Sequence, residues 1–359
     1  MTYAIAAAGT GGHVYPGLAV GEQLVADGVA RADVLFIGGD RLAATVFPAA
    51  GFPYLRLQVR GLSRSLSAKN LALPLVVARA TRRASSELRA RDVGVVLGMG
   101  SYTSVPVGLA ARRRRIPLYL HEQNAHAGLA NRLMGRFAVT TFTSFEQTEG
   151  AVRALHVGNP IRAGLAEFNR VELRRAAFDR YGLEPGRVTL GVVGGSLGAR
   201  VVNRAVMAAM SDWEDPPIQL VHLAGRDHVD EVTAAAQRSE FPWVVIEFES
   251  EMQYFFAAVD VVVARAGGMV AEMTATGTPA ILIPGGFGSG GHQDANSRAL
   301  ERAGAARCLS EDRLDELPDL IAQLARDPAQ RRGMSAAAHA IARPQAAATI
   351  SAELRRAHG

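Results

Sequence analysis

A single cysteine, Cys308, stands in 359 residues. No disulfide can staple this chain internally, so its stability must come from burial, and a reducing compartment is expected. Lysine is as scarce, Lys69 being its one occurrence, so nearly all positive charge is arginine. No apolar run approaches the roughly 20 residues needed to cross a bilayer. Met1 leads directly into a strand-like run, so no signal peptide is expected either. There is no low-complexity tract and no short repeat. No metal or cofactor is expected: His121 beside Glu122 is the nearest approach to a ligand pair, but adjacent residues project differently and no further His/Cys/Asp set accompanies them.

What the chain has is 48% hydrophobic residues over a length that supports two ordinary cores. The net charge of +5 is unevenly shared: residues 1–160 hold 18 Lys/Arg against 9 Asp/Glu, and the remainder is mildly acidic. Only the first half is therefore expected to face something anionic. Nucleic acid is not expected among its partners.

A glycine pattern occurs twice. Tyr3-Ala4-Ile5-Ala6-Ala7-Ala8 runs into Gly9-Thr10-Gly11-Gly12-His13, and Val188-Thr189-Leu190-Gly191-Val192-Val193 into Gly194-Gly195-Ser196-Leu197-Gly198-Ala199. A strand that turns through glycines into a helix start presents backbone N–H groups and a positive dipole end, which suits a phosphate. Strand-like runs recur at Val34–Ile37, Val93–Leu97, Pro117–Leu120, Val139–Phe142, Thr189–Val193, Gln219–Leu223, Val244–Ile246, Val261–Ala264 and Ala280–Ile283. Helical patterns lie between them, among them Leu18–Ala26, Ala199–Met210, Asn296–Ala303 and Leu314–Arg326, with a last one at Gln345–Ala357. This alternation predicts α/β domains with parallel sheets, and the turn-forming Gly158-Asn159-Pro160 marks the break between them.

One segment departs from the pattern. Between Arg60 and Arg91, Leu71–Ala78 is flanked by eight cations, with Glu87 the only acid. It reads either as a buried helix start with a solvated arginine face or as a contact with an anionic membrane interface. Arg112–Arg115 in the same half favours the membrane.

Two constellations carry chemistry. His13 at the first helix start is placed to accept a proton from an attacking hydroxyl or to bind a phosphate. His121-Glu122-Gln123-Asn124 follows a strand at the sheet edge where doubly wound folds bind ligands.

In order and spacing, Ala8–Pro16, His121–Asn124, Gly158–Arg162 and Gly194–Ala199 resemble the MurG family, the N-acetylglucosaminyltransferases of peptidoglycan synthesis. The resemblance runs essentially end to end and includes Val270-Ala271-Glu272 and His292-Gln293 near Asn296. It implies two Rossmann-like doubly wound domains facing a cleft, the GT-B architecture. Residues 1–161 would form an acceptor and membrane-facing domain, with the C-terminal helix 344–359 packing back on it, and residues 162–343 a UDP-sugar domain. Closure about Gly158–Arg162 would belong to the cycle. The implied reaction is inverting transfer of N-acetylglucosamine from UDP to a muramoyl-pentapeptide diphosphoryl-polyprenol, giving a β-linkage at the cytoplasmic face of the membrane. By position, Glu272 would bind the ribose, Ser196 and its loop the diphosphate with Arg162 near it, and Gln293 and Asn296 the sugar. The main chain at Phe248–Glu249 would meet the uracil, and Met269 would also contact the donor. Thr10, Gly11, Gly12 and Asn124 would line the acceptor side, and His13 would position or deprotonate the acceptor hydroxyl.

The sequence departs from the family pattern in several places. Ala8, Ser101 and Val105 stand where glycine is usual, Gly291 where aspartate is common, and the run 265–272 is one residue short. These changes leave open a MurG-like paralogue with another lipid-linked acceptor. A UDP-sugar 2-epimerase and a non-catalytic nucleotide-sugar scaffold are the remaining alternatives.

Overall fold

The computed structural model describes residues 2–59, 73–195, 198–285 and 291–357. Residues 1–163 together with 343–359 form one compact unit, and residues 164–342 form a second. The chain changes unit after Ala163 rather than after Ile161, and returns at Arg343 rather than at Pro344, so Arg162 belongs to the first unit.

The first unit is built on β1 (Thr2–Ala6), β2 (Val34–Gly38), β3 (Tyr54–Arg56), β4 (Val93–Gly98), β5 (Leu118–Glu122), β6 (Thr140–Thr143) and β7 (Ala154–His156). These pair in parallel in the order β3-β2-β1-β4-β5-β6-β7. The order reverses between β1 and β4, which makes that gap the topological switch point. Residues of β1 and its exit alternate between two cores, as a strand's period of two requires. Tyr3, Ile5 and Ala7 join Val14, Leu24 and Phe36 on one face, and Ala4 and Ala6 join Ala80, Ala84 and Leu88 on the other. The helix Gly11–Ala26 lies very close to the sheet, because a Cβ on Gly21 would come within 2.6 Å of the Phe36 ring. The helix Ala346–Arg356 packs back on this unit through Ile350 and Leu354.

The second unit repeats the plan with β8 (Val188–Val193), β9 (Ile218–Leu223), β10 (Trp243–Ile246), β11 (Val261–Ala264), β12 (Ala280–Leu282) and β13 (Ala306–Cys308). Its parallel order is β10-β9-β8-β11-β12-β13, with the switch point between β8 and β11. Leu190, Val192, Val261 and Val263 pack with Val202 and Val206 of the helix Arg200–Met210 and with Ile321 and Leu324 of the helix Leu317–Arg326. Both glycine loops thus leave strands that border a switch point.

Several elements differ from expectation. β3, β7 and β13 were not expected; each has three residues and lies at a sheet edge, too short to show alternation. β5 extends through His121 and Glu122, which pair with Phe142 and Thr143 of β6. The first helix begins at Gly11, before Leu18. The pattern at Leu314–Arg326 divides into a 3-10 turn, Glu311–Glu316, and an α-helix from Leu317 that carries Pro318 in its first turn. Of the apolar and basic segment, residues 60–72 lie outside the described residues. Leu73–Ala90 is a helix whose buried residues are Ala80, Ala84, Ser85 and Leu88, while Leu75 is 52% exposed. Its apolar start therefore faces outward. No helix among the described residues is long and apolar enough to cross a membrane.

Asp27 ties the C-terminal helix to the first. Ser351 Oγ donates to it at 2.6 Å, Gln23 Nε2 at 2.9 Å, and Arg355 lies 3.4 Å away. Burial alone would raise the Asp27 pKa, but these hydrogen bonds and the Arg355 charge together hold it below the usual carboxylate value. A depressed carboxylate stabilises the folded state above its unfolded pKa of about 3.9 and loses that contribution as pH falls through the folded value. Asp27→Asn is expected to lower the urea midpoint at neutral pH, and the gap to the parent should close on acidification below about pH 4. A gap unchanged in acid would show that the carboxylate charge does not hold this helix.

Candidate functional site

In the first unit, β1 leads through Gly9, at φ +93°, and the exposed Thr10 into the helix Gly11–Ala26. The His13 N–H donates to Thr10 O at 3.1 Å, and the residue is half-buried, with Nδ1 on its buried side. A Cβ on Gly9 would lie 4.0 Å from His13 Nδ1, so the bare glycine backbone passes beside the ring. One turn on, the Arg162 guanidinium lies 4.7 Å over the Tyr15 ring. Thr10, Gly11, Gly12, His13 and Arg162 are therefore gathered about one helix start.

The His121–Asn124 run turns inward. His121 is completely buried, and burial, outweighing the Gly158 hydrogen bond and the Glu122 charge, lowers its pKa to about 4. The neutral ring places Nε2 3.0 Å from Gly158 O, where Nε2–H donates. Glu122, 2% exposed, accepts four hydrogen bonds: from Asn124 N and Nδ2 at 3.1 and 3.0 Å, from Gly128 N at 2.9 Å and from Asn131 Nδ2 at 2.8 Å. Gln123 Nε2 donates to Met99 O at 3.0 Å. Asn124 thus owes its position to Glu122. Asn131, whose amide also reaches His121 O, has no signal in the local sequence. Val105 lies in the first turn of the helix Ser104–Arg114 and packs against the core.

In the second unit the loop after β8 admits only glycine at Gly194, where a Cβ would come within 2.2 Å of Ala199 N. Gly195 and Gly198 have left-handed φ, and Gly198 N donates to Gly195 O at 3.0 Å. Ser196, expected to hold a diphosphate, lies outside the described residues, as does Leu197. The loop's far side is braced by Asn203, whose Nδ2 donates to Ala224 O at 2.9 Å. That orientation turns Asn203 Oδ1 toward His222 Nε2 at 3.1 Å, so His222 carries its proton on Nε2. Burial lowers the His222 pKa to about 3, which keeps the ring neutral.

After β11, Met269 immediately precedes the short helix Val270–Ala275, which carries Glu272 at 7% exposure. Asn296, fully buried, donates its amide to Ala266 O at 3.0 Å and so holds this loop from behind. Gln293 Oε1 accepts from Gly285 N at 2.7 Å after β12. Gly291, at φ +78°, supplies the left-handed residue that starts the helix His292–Arg302. The loops after β8, β11 and β12 share the carboxyl edge of adjacent strands. Glu249 lies farther along, after β10, with its carboxylate taken by Arg180 at 3.1 and 3.2 Å, Tyr181 Oη at 2.7 Å and Glu251 N at 2.8 Å. Phe248 beside it is 48% exposed.

Residues 3–143 match the Glycosyltransferase family 28 N-terminal domain, and residues 189–350 the Glycosyltransferase family 28 C-terminal domain. A relative from Halorhodospira halophila is 40% identical, covering 100% of this chain and 99% of its own. Another, from Salinibacter ruber, is 37% identical over 96% of this chain and 94% of its own. Both are named UDP-N-acetylglucosamine--N-acetylmuramyl-(pentapeptide) pyrophosphoryl-undecaprenol N-acetylglucosamine transferase. The chain belongs to the MurG family of glycosyltransferases. Among solved structures, Acinetobacter baumannii MurG superposes with a TM-score of 0.77 at 24% identity, covering 99% of this chain and 100% of its own. A UDP-GlcNAc 2-epimerase from Neisseria meningitidis, bound to UDP-GlcNAc, gives 0.72 at 12% identity, with 99% and 100% covered. At these identities both show the fold alone.

Within this MurG-family chain the Glu122 hub is the most heavily used buried carboxylate of the first unit. Glu122→Gln places an NH2 group against N–H donors and is expected to cost about 2 kcal/mol or more in urea unfolding. An unchanged midpoint would remove Glu122 as the organiser of residues 124–131.

Proposed function

We propose that this chain transfers N-acetylglucosamine from UDP to a muramoyl-pentapeptide diphosphoryl-polyprenol, with inversion to a β-linkage. The observation that carries the reading is the end-to-end identity to relatives named for that reaction. The two glycine loops at two switch points supply a physical basis, because each offers backbone N–H groups to a phosphate-bearing substrate.

The second unit takes the donor. Glu272 accepts from the ribose hydroxyls, the loop containing Ser196 holds the diphosphate, and Met269 and Gln293 complete the donor contacts. Asn296 acts through the Ala266 loop that it holds, and the Glu249 carboxylate fixes the turn whose main chain meets the base. The first unit takes the acceptor against Thr10–Gly12 and Asn124. His13 receives or orients the acceptor hydroxyl as it attacks the anomeric carbon. Negative charge on the departing UDP is met by the second glycine loop, with no cofactor or metal assigned a role.

The acceptor's lipid brings the chain to the cytoplasmic face of the membrane as a peripheral protein. The exposed Leu75 and the cations Arg79, Arg82, Arg83, Arg113 and Arg115 support this docking, since an apolar tip among arginines suits an anionic interface. Arg112 and Arg114 are engaged internally, over Phe137 and with Ser85. A paralogue acting on another lipid-linked acceptor is the second reading, which the departures at Ala8, Ser101 and Gly291 leave open.

Purified protein with UDP-N-acetylglucosamine and a short-chain muramoyl-pentapeptide diphospholipid is expected to release UDP. Absence of release, with turnover on a different lipid phosphate, would select the second reading. Release of UDP without any acceptor would indicate epimerase-like chemistry instead. Glu272→Ala should weaken UDP binding about tenfold or more, whereas His13→Ala should spare it and cut transfer by about 100-fold. Equal loss of UDP affinity in both variants would contradict this division of labour. Binding to anionic vesicles should fall as salt rises, and salt-indifferent binding would remove the membrane contact.

A further inference from the structure

Two of the departures from the family pattern meet in one hydrogen bond. β1 and β4 pair in parallel register, with Ala6 opposite Gly98. The ladder continues one step beyond the strands, as Met99 N donates to Ala6 O at 2.9 Å. In a parallel ladder the next bond would run from Ala8 N to Met99 O. Here it is replaced from both sides. Met99 O accepts Gln123 Nε2, and Ala8 N donates to Ser101 Oγ at 3.2 Å. Ser101 Oγ also lies 2.7 Å from Thr103 Oγ1, so the hydroxyl is satisfied in both directions. Ala8 and Thr103 are fully buried and Ser101 is 4% exposed, so the contact is shielded from bulk water.

The consequence falls on the segment that follows. Ala8 is the last residue before Gly9, where the backbone turns at φ +93° into Thr10 and the helix start. We propose that Ser101 is a positioning residue: its hydroxyl ends the β1–β4 ladder and thereby aims the Gly9–Gly12 backbone at the acceptor. Glycine at position 101 has no group that can do this. With serine there, the Ala8 N–H is withdrawn from any ligand and the loop is held by a side chain. The serine at 101 makes this bond to a backbone N–H that any residue but proline at 8 supplies, and the Ala8 methyl packs separately beside Gly39, whose own Cβ would come within 3.9 Å of it. The departure at 101 adjusts how the acceptor loop is held and leaves the donor residues of the other unit untouched.

This inference rests on the reading of that loop as the acceptor side. Its test compares the full-length parent with Ser101→Ala and Ser101→Thr, using UDP-N-acetylglucosamine and the short-chain muramoyl-pentapeptide diphospholipid. Ser101→Ala leaves a buried N–H unmatched, and kcat/KM for the lipid should fall on the order of tenfold. The KM for UDP-N-acetylglucosamine and the affinity for UDP should not move. Ser101→Thr, which keeps the hydroxyl, should recover most of the loss. Amide hydrogen exchange across residues 8–13 should quicken in Ser101→Ala and stay slow in Ser101→Thr. Unchanged acceptor kinetics in Ser101→Ala, a matching loss of UDP affinity, or a threonine variant as poor as the alanine variant would each overturn the proposal. If the parent transfers to no lipid acceptor, the functional reading fails on its own. The exchange comparison then decides the inference, and equal exchange in parent and Ser101→Ala sinks it.

Discussion

Backbone groups lose their ladder partners where a parallel sheet ends, and in a buried site each must find another. This requirement organises both units. Where the first sheet ends, Ser101 takes Ala8 N, Gln123 takes Met99 O, His121 takes Gly158 O, and Glu122 takes the N–H groups of Asn124 and Gly128. In the second unit, Asn203 takes Ala224 O, Asn296 takes Ala266 O, and Gln293 takes Gly285 N. The polar residues that look like a ligand-binding set in sequence are thus largely a scaffold for loops.

Such a scaffold is stiff for an electrostatic reason. A buried carboxylate with one acceptor oxygen unmatched would be costly, but Glu122 has both oxygens filled twice. The two buried histidines are kept neutral by the same low-dielectric surroundings, with pKa values near 4 and 3. Each presents a fixed Nε2–H to an oxygen, Gly158 O in one case and Asn203 Oδ1 in the other. A histidine that stays neutral throughout the physiological range is a hydrogen-bond element, not a proton carrier.

The central strands were legible because a parallel sheet buried on both faces demands apolar residues at nearly every position. Val34–Gly38 and Val261–Ala264 satisfy that demand openly. β3, β7 and β13 do not, since an edge strand of three residues is stabilised by its neighbour and not by its own pattern. His121 and Glu122 read as polar loop, and only contacts with Gly158 and Asn131 make them the buried end of β5. The glycine loops could be read because glycine reports backbone geometry directly. The roles of Asn296 and Glu249 could not be read in the same way. Their partners, Ala266 for one and Arg180 with Tyr181 for the other, are distant in sequence, and a motif read locally cannot tell a side chain that meets a ligand from one that holds the loop beside it.

That distinction changes the meaning of a departure from a family pattern. A substitution at a ligand contact alters chemistry, whereas one at a ladder end alters the placement of backbone and can be compensated by a neighbour. Ser101 is of the second kind, because its hydroxyl accepts the backbone N–H of residue 8, and the Ala8 methyl is taken up by packing beside Gly39. Val105 is absorbed by packing in the helix Ser104–Arg114, and Gly291 supplies the left-handed residue before the helix His292–Arg302. None of these four residues requires a new substrate to explain it. Gly9, Gly195 and Gly198 take left-handed φ, Glu272 lies on the helix after β11, and the four changes fall on packing and on supports. A departure from a family pattern can therefore be absorbed along a loop scaffold, by a hydroxyl at a ladder end or a methyl in the packing, with no ligand needed to account for it.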